Sequence, residues 1–105
     1  MITPIVVRKG RTTVIQVALG FDVSSDTFTS EIRTDESPES DLLATWVVTF
    51  STDGTDGELI LTLDDSETTE IDRINGVMDL KRVSGGEPLD VFGAVPVTFK
   101  EGVTA

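Results

Sequence analysis

The chain has 105 residues, with 8 basic and 19 acidic side chains, a formal net charge of −11 and a pI near 4.1. It contains no Cys, His or Tyr, which excludes disulfides, zinc–thiolate and iron–sulfur sites, and nucleophiles activated by an imidazole. The acidic balance argues against nucleic acid or an anionic membrane as a partner, since both bind a positive surface. A chain of this length buries roughly 65% of its unfolded surface, which is enough for one domain over residues 1–105.

β-Branched residues dominate the composition. Thr, Val and Ile make up a third of the chain, with 15, 13 and 7 copies, whereas Ala and Leu together number 12. These three residue types suit the pleated surface of a sheet better than a helix. With 38% hydrophobic residues available for a core, the composition predicts an all-β domain.

The N-terminal segment of this sequence has no pattern typical of a signal peptide or a membrane span. Its early apolar run, Ile5–Val7, is shorter than the apolar region of a signal peptide and far shorter than the about 20 residues of a membrane span. We therefore expect the chain to stay in the compartment where it is made, or to leave it as part of an assembly.

Apolar and polar residues alternate in the first half of the chain, which indicates strands with one buried face, as in an antiparallel sheet. In the segment Leu43–Phe50, Trp46 and Phe50 lie on the apolar face, so we expect Trp46 in the core. The predicted strands are Ile5–Arg8, Thr12–Leu19, Thr27–Thr34 and Leu43–Phe50.

Turn and strand signals continue to the C-terminus. Asp53-Gly54 and Asp56-Gly57 are strong turn signals, so residues 43–63 are predicted as a hairpin. Asp64–Ile74 is the one segment with helical character, a single turn with Ser66 as the predicted N-cap. The remaining predicted strands are Gly76–Val83, Leu89–Phe92 and Val95–Lys100, with Ser84-Gly85-Gly86 as the turn between the first two.

Seven to eight short strands in about 100 residues match the size and spacing of an immunoglobulin-like antiparallel β-sandwich. A small barrel fits the pattern less well, because nothing in the alternation indicates the continuous register that closure demands. The predicted fold is therefore the sandwich.

Acidic residues cluster at two of the predicted turns. Asp53, Asp56 and Glu58 lie at the end of the hairpin, and Asp64 and Asp65 begin the next loop. Calcium takes about six to eight oxygen ligands, and carboxylates on glycine-containing loops can supply them. The D-G-x-D-G-E spacing is not that of an EF-hand loop, and Asp-Gly is also a common hairpin turn. Turn formation is the main interpretation, with calcium as the alternative; no cofactor is predicted.

Catalysis is not predicted. Paired carboxylates perform acid–base chemistry in glycosidases, but such sites need a deep cleft, for which a 105-residue sandwich has little volume. Aromatic platforms for sugars are also scarce, since Phe28, Trp46, Phe50 and Phe99 fall on inward faces. Phe92 is the aromatic residue that we expect to be exposed.

The basic cluster Arg8, Lys9 and Arg11 lies at the first predicted turn. It is either the solvated end of a hairpin or a docking surface for an acidic neighbour, such as another copy of this chain. Arg73, Lys81 and Arg82 form a second such surface if the fold brings them together.

Segments that carry a family resemblance run along nearly the whole chain. They are R-K-G (8–10), F-T-S-E-I-R (28–33), L-L-A-T-W-V-V-T-F (42–50), D-G-E-L-I-L-T-L (56–63), V-M-D-L-K-R-V (77–83) and V-P-V-T-F-K-E-G-V-T (95–104). Their order resembles the small immunoglobulin-like proteins encoded in tail modules of phages and prophages, including the N-terminal domains of upper-baseplate proteins. The segments are strand and turn patterns and contain no catalytic motif.

The resemblance implies a virion structural protein, assembled in the host cytoplasm. It would be a small tail or baseplate subunit, or an adaptor that links a fibre or receptor-binding protein to the tail, with homo-oligomers in the particle. Such a domain can bind a partner through its edge strands, and the first and last strands, with Val7 and Val97, are the expected edges. Together with the basic cluster and Phe92, they form the predicted interface.

Two other functions stay open. A capsid decoration protein is also often a small β-domain, and would differ from a tail component in copy number. A carbohydrate- or receptor-binding module predicts an exposed cluster of aromatic side chains.

Overall fold

The computed structural model describes residues 5–37 and 39–101, which form seven strands and one short helix. The elements are β1 (Ile5–Arg8), β2 (Thr13–Ala18), β3 (Thr27–Arg33), β4 (Leu42–Phe50), β5 (Glu58–Leu63), α1 (Asp65–Thr68), β6 (Asn75–Ser84) and β7 (Glu87–Lys100). The all-β prediction is confirmed.

All seven strands belong to one sheet, in the order β1-β7-β6-β3-β4-β5-β2. Every pairing is antiparallel except that of β1 with β7, where Ile5 lies opposite Val97 and Arg8 opposite Lys100 in parallel register. The sheet is therefore mixed, and the prediction of a purely antiparallel sheet is wrong. Alternation along a strand shows which side chains face inward, but it has the same period beside a parallel or an antiparallel neighbour.

β4 links the two parts of the sheet. Its first half, Leu42–Trp46, pairs with β3, whereas its second half, Val47–Phe50, pairs with β5. The sheet curls in this way into a near-barrel. The predicted hairpin over residues 43–63 is confirmed, since β4 and β5 are antiparallel neighbours.

β6 and β7 form the longest hairpin, and Ser84 pairs with Glu87 across the predicted turn. β7 runs unbroken from Glu87 to Lys100, where the sequence predicts two separate strands. The register between β6 and β7 shifts between Met78 and Leu80, so the extra residues around Gly93 form a bulge within one strand.

The C-terminal end of the last strand is not an edge. β7 pairs with β6 along its length and with β1 through Val97–Lys100 only. Among the described residues, β1 and β2 are the outermost strands of the sheet, and Glu87–Pro96 of β7 has no strand on its β1 side. The prediction that the first strand lies at an edge is confirmed, and the prediction for the last strand is wrong. Nothing in a strand's own sequence specifies the neighbour it receives from a distant part of the chain.

The core lies on the inward face of the curled sheet. Trp46 is 3% exposed, which confirms its predicted place in the core. The buried hydrophobic residues are Val7, Val23, Ile32, Ala44, Trp46, Leu59, Leu61, Leu63, Ile71, Met78, Leu80, Val97 and Phe99.

The predicted helical segment contains one turn, α1, which begins after Asp64 rather than after Ser66. Asp64 has the extended backbone of an N-cap, and the Ser66 hydroxyl donates a hydrogen bond to the Asp64 carboxylate. Thr68 is fully buried, and its Oγ1 accepts a hydrogen bond from the Gly10 amide at 2.9 Å. α1 is thereby attached to the turn between β1 and β2.

Candidate functional site

The predicted basic cluster lies at the turn between β1 and β2. Lys9 Nζ is 3.4 Å from a carboxylate oxygen of Glu101, and an Arg8 guanidinium nitrogen donates to the Glu101 carbonyl oxygen at 3.3 Å. Arg8 and Arg11 are exposed, whereas Lys9 is half-buried. Glu101 therefore neutralises part of the positive charge of this cluster, which lies beside the edge strand β1.

The other predicted interface residues are buried or half-buried. Val7 and Val97 are 0% and 1% exposed, because their side chains belong to the inward faces of β1 and β7. Phe92 is half-buried and packs against the core, so the prediction that it is exposed is wrong. The bulge near Gly93 turns Phe92 inward, opposite Leu80.

The second set of basic residues does not form a cluster. Lys81 and Arg82 are adjacent in β6 and so point to opposite faces of the sheet. Arg82 Nε donates to the Asp26 carboxylate at 2.7 Å, and Arg73 Nε donates to the Asn75 carbonyl oxygen at 3.3 Å.

The calcium candidates fall into two separate turns. Asp53, Asp56 and Glu58 lie between β4 and β5, and Asp64 and Asp65 lie at the start of α1. Within residues 5–37 and 39–101, no three carboxylates come together in a group that could hold a metal ion.

The turn carboxylates accept hydrogen bonds from their own loops. The Asp53 carboxylate accepts from the Thr55 amide at 3.0 Å and from its hydroxyl at 2.6 Å, and the Asp56 carboxylate accepts from the Glu58 amide at 3.0 Å. These bonds lower the pKa of Asp53 and Asp56, and the Ser66 hydroxyl likewise lowers the pKa of Asp64. The arrangement is that of Asx turns, which favours the turn interpretation of this motif.

A groove of about 520 Å³ lies on the outer face of β3, β6 and β7. We call it the outer groove; its charged residues include Glu31 and Arg33 from β3, Asp79 and Lys81 from β6, and Asp90 from β7. Glu31 and Arg33 form an ion pair at 3.0 Å, and Lys81 lies opposite Asp90 in the strand register. The bulge residues Gly93 and Ala94 also line the groove, across from Asp79.

Asp79 is the perturbed acid of the outer groove. Its pKa is raised above the ordinary value, mainly by burial and then by the negative charges of Asp90 and Glu31, with Lys81 acting in the opposite direction. Acidic side chains outnumber basic ones here, so the groove attracts a cationic group more strongly than an anion.

The aromatic side chains form no exposed cluster. Of the six, Phe21 alone is exposed, at 48%, and the Arg82 guanidinium carbon lies 5.0 Å from the centre of its ring. Phe28 and Phe50 pack edge to face, with ring centres 6.3 Å apart.

Three features of this surface were not predicted: the Asp26–Arg82 pair, the outer groove, and β2 as an edge. Charged residues alternate with apolar ones in E-I-R (31–33) and D-L-K (79–81), and this pattern indicates a charged outer face on β3 and β6. The other two depend on residues that are distant in the chain, and no local pattern indicates them.

Comparison with known proteins gives no assignment. No family model matches the sequence, and no curated protein matches it. Within the part of the chain that the structure describes, no helix is long and apolar enough to cross a membrane. The resemblance to phage tail-module proteins therefore stays a prediction.

Proposed function

We propose that this chain is a structural subunit of a phage particle, a small tail or baseplate component or an adaptor between a fibre or receptor-binding protein and the tail. The observation that carries the proposal is that, within residues 5–37 and 39–101, β1 and β2 each pair with a strand on one side only. An edge strand presents free backbone groups to which a partner can add a strand, and this needs no catalytic residue. The order of strand and turn segments supports the same class of protein.

The finer fold belongs to this proposal. We infer an immunoglobulin-like arrangement within the near-barrel, because β4 pairs with β3 through one half and with β5 through the other. Within this single sheet, β4 holds the position that a strand has at the corner between two packed sheets.

The charge distribution agrees with a structural role. A net charge of −11 keeps free copies soluble and apart, and assembly then needs basic partner surfaces to offset it. The outer groove and the turn carboxylates are the acidic surfaces that such partners would contact. The partners are other virion proteins, and neither nucleic acid nor membrane is proposed.

A capsid decoration protein is the second candidate, since it requires the same small β-domain. A carbohydrate-binding module has less support, because Phe21 is a single exposed aromatic residue rather than a platform.

Quantitative mass spectrometry of purified particles from the genome that encodes this chain tests the proposal. We expect a few to a few tens of copies per particle, as in tails and baseplates. Hundreds of copies would replace the tail assignment with capsid decoration. Absence from the particles would overturn the virion function altogether.

A further inference from the structure

β2 is an edge strand that lacks the usual protection against strand pairing. Its six residues, Thr13–Ala18, contain no charge and no proline, and they pair with β5 without a break in register. Soluble proteins commonly protect an edge by shortening it, kinking it or placing a lysine on it. β1 follows that rule, since it has four residues and ends at the basic cluster, but β2 does not.

The free backbone groups of β2 can be assigned from the hydrogen-bond pattern. The Leu19 amide donates to the Gly57 carbonyl oxygen at 2.9 Å, so odd-numbered residues direct their backbone groups toward β5. Val14, Gln16 and Ala18 therefore direct their N–H and C=O groups outward. No other strand lies on that side of β2 among the described residues.

The outer face beside this edge is uncharged. Val14 and Val47 are each 58% exposed, and the register places Thr62 between them. The next row is Gln16, Ile60 and Thr49, and Glu58 is the first charge along β5. An uncharged face of this kind stands out on a protein in which 26% of the residues are charged.

We propose that β2 pairs antiparallel with β2 of a second copy, about a two-fold axis at Gln16. In that register Gln16 lies opposite Gln16 and Val14 opposite Ala18, so every outward N–H and C=O of these residues finds a partner. Ile15 then lies opposite Val17, and both belong to the inward side of the strand. A shift of one residue would place inward residues opposite outward ones, so only even shifts keep both faces in place. Of these registers, the one centred on Gln16 pairs all three outward-directed residues, Val14, Gln16 and Ala18, with one another.

A second copy is the occupant because the ends of β2 are electrostatically complementary. Arg11 precedes the strand, while Asp22 and Glu58 lie at its other end. Antiparallel pairing brings the basic end of each strand beside the acidic end of its copy, at both ends of the contact. The long-range repulsion between two chains of charge −11 opposes association, so dimerisation strengthens as salt screens it.

Sedimentation velocity on the full chain tests the pairing, with two matched variants. Gln16→Lys places two like charges opposite each other at the two-fold axis. Thr49→Lys adds the same charge in the same row and on the same face, but on the internal strand β4. In about 150 mM NaCl, where surface charges are largely screened, we expect a monomer–dimer equilibrium for the original chain and for Thr49→Lys. For Gln16→Lys we expect the dissociation constant to rise at least about tenfold.

Two results would overturn the pairing. One is that the original chain stays monomeric at all concentrations up to about 1 mM, which is higher than the dissociation constant of a stable complex. The other is an equal loss of association in both lysine variants, which would place the contact on the face instead of the edge. Circular dichroism of both variants establishes that each is folded.

Hydrogen exchange gives a second measurement on the backbone itself. We expect the amides of Val14, Gln16 and Ala18 to exchange more slowly as the concentration rises, while those of Thr13, Ile15 and Val17 do not change. Concentration-independent exchange at the first three would contradict the pairing. The inference does not rest on the virion function, because the chain can dimerise in solution whether or not it is found in particles.

Discussion

Asp26 is a buried carboxylate whose partner lies far along the chain. Its side chain is 5% exposed, and its Oδ2 atom accepts a hydrogen bond from Arg82 Nε at 2.7 Å. The guanidinium group of Arg82 also lies over the exposed ring of Phe21. The three side chains hold the loop between β2 and β3 against β6.

Replacing this acid tests its contribution to stability. We expect Asp26→Ala to lower the free energy of unfolding by about 2–3 kcal/mol, because Arg82 is left largely buried without its counter-charge. The control is Glu101→Ala, which breaks the more exposed pair with Lys9 and should cost about 0.5 kcal/mol. Urea unfolding followed by Trp46 fluorescence measures both, and equal losses would contradict the buried-pair argument.

Asp79 makes stability depend on pH in the opposite direction from the turn carboxylates. Its pKa is raised in the folded state, so folding favours the protonated acid, and stability is lost as pH rises above the ordinary value of 3.8. The pKa values of Asp22, Asp53, Asp56 and Asp64 are lowered, so their contribution is present above 3.8 and is lost as pH falls.

The variant Asp79→Asn isolates the first of these effects. We expect its melting temperature to exceed that of the original chain at neutral pH, because the unfavourable charge beside Asp90 and Glu31 is gone. The gain should disappear when the pH falls below 3.8, where Asp79 is protonated in both the folded and the unfolded chain. Asp72→Asn removes the same charge from an exposed loop. An equal gain in that control would assign the effect to net charge alone.

Among the structural elements, the loop after β2 and the turn between β4 and β5 interlock. The Val23 amide donates to the Gly54 carbonyl oxygen, and the Leu19 amide donates to that of Gly57, both at 2.9 Å. Gly57 has φ +75°, and a Cβ atom there would lie 2.4 Å from the Phe21 carbonyl oxygen. The Asp-Gly signals therefore do two things: they turn the chain and they let another loop approach closely.

A pair of alanine variants separates these two roles of glycine. Gly10 has φ +74°, but a Cβ atom there would meet no other atom within 4 Å, so Gly10→Ala should cost only the left-handed backbone term of about 1 kcal/mol. Gly57→Ala should cost about 2 kcal/mol more, because backbone atoms must also move. Thermal unfolding of both variants compares them, and similar losses would show that the loop yields easily.

Over the molecule as a whole, acidic side chains greatly outnumber the basic ones that could pair with them. The chain carries 19 acidic and 8 basic side chains, so 19 − 8 = 11 negative charges stay uncompensated even if every cation forms an ion pair. These charges repel one another across a small domain, and this lowers the stability of the compact state.

Salt and divalent ions test this charge repulsion and the calcium alternative together. We expect the melting temperature to rise from about 10 mM to about 150 mM NaCl as repulsion is screened. Equal concentrations of CaCl₂ and MgCl₂ should then give the same melting temperature, because the turn carboxylates already bind their own loops. A rise specific to calcium, reversed by EDTA and absent in Asp53→Asn, would instead establish a calcium site.

The class of fold and the inward face of each strand follow from local sequence alone. Alternation in Thr13–Ala18 and Leu42–Phe50 is a local property, and the side chains it marks as inward, such as Trp46, are indeed inward. The Asp-Gly turns were equally readable, because a turn depends on a few adjacent residues.

The neighbours of each strand depend instead on contacts between distant segments, which appear only in the folded molecule. The parallel pairing of β1 with β7, the free edge of β2 and the Asp26–Arg82 pair each join or separate segments that are far apart in the chain. The period of side chains along a strand is the same whatever strand lies beside it. The faces of the sheet can therefore be predicted from local pattern, whereas its edges, and the surfaces available to partners, depend on which distant segments fold together.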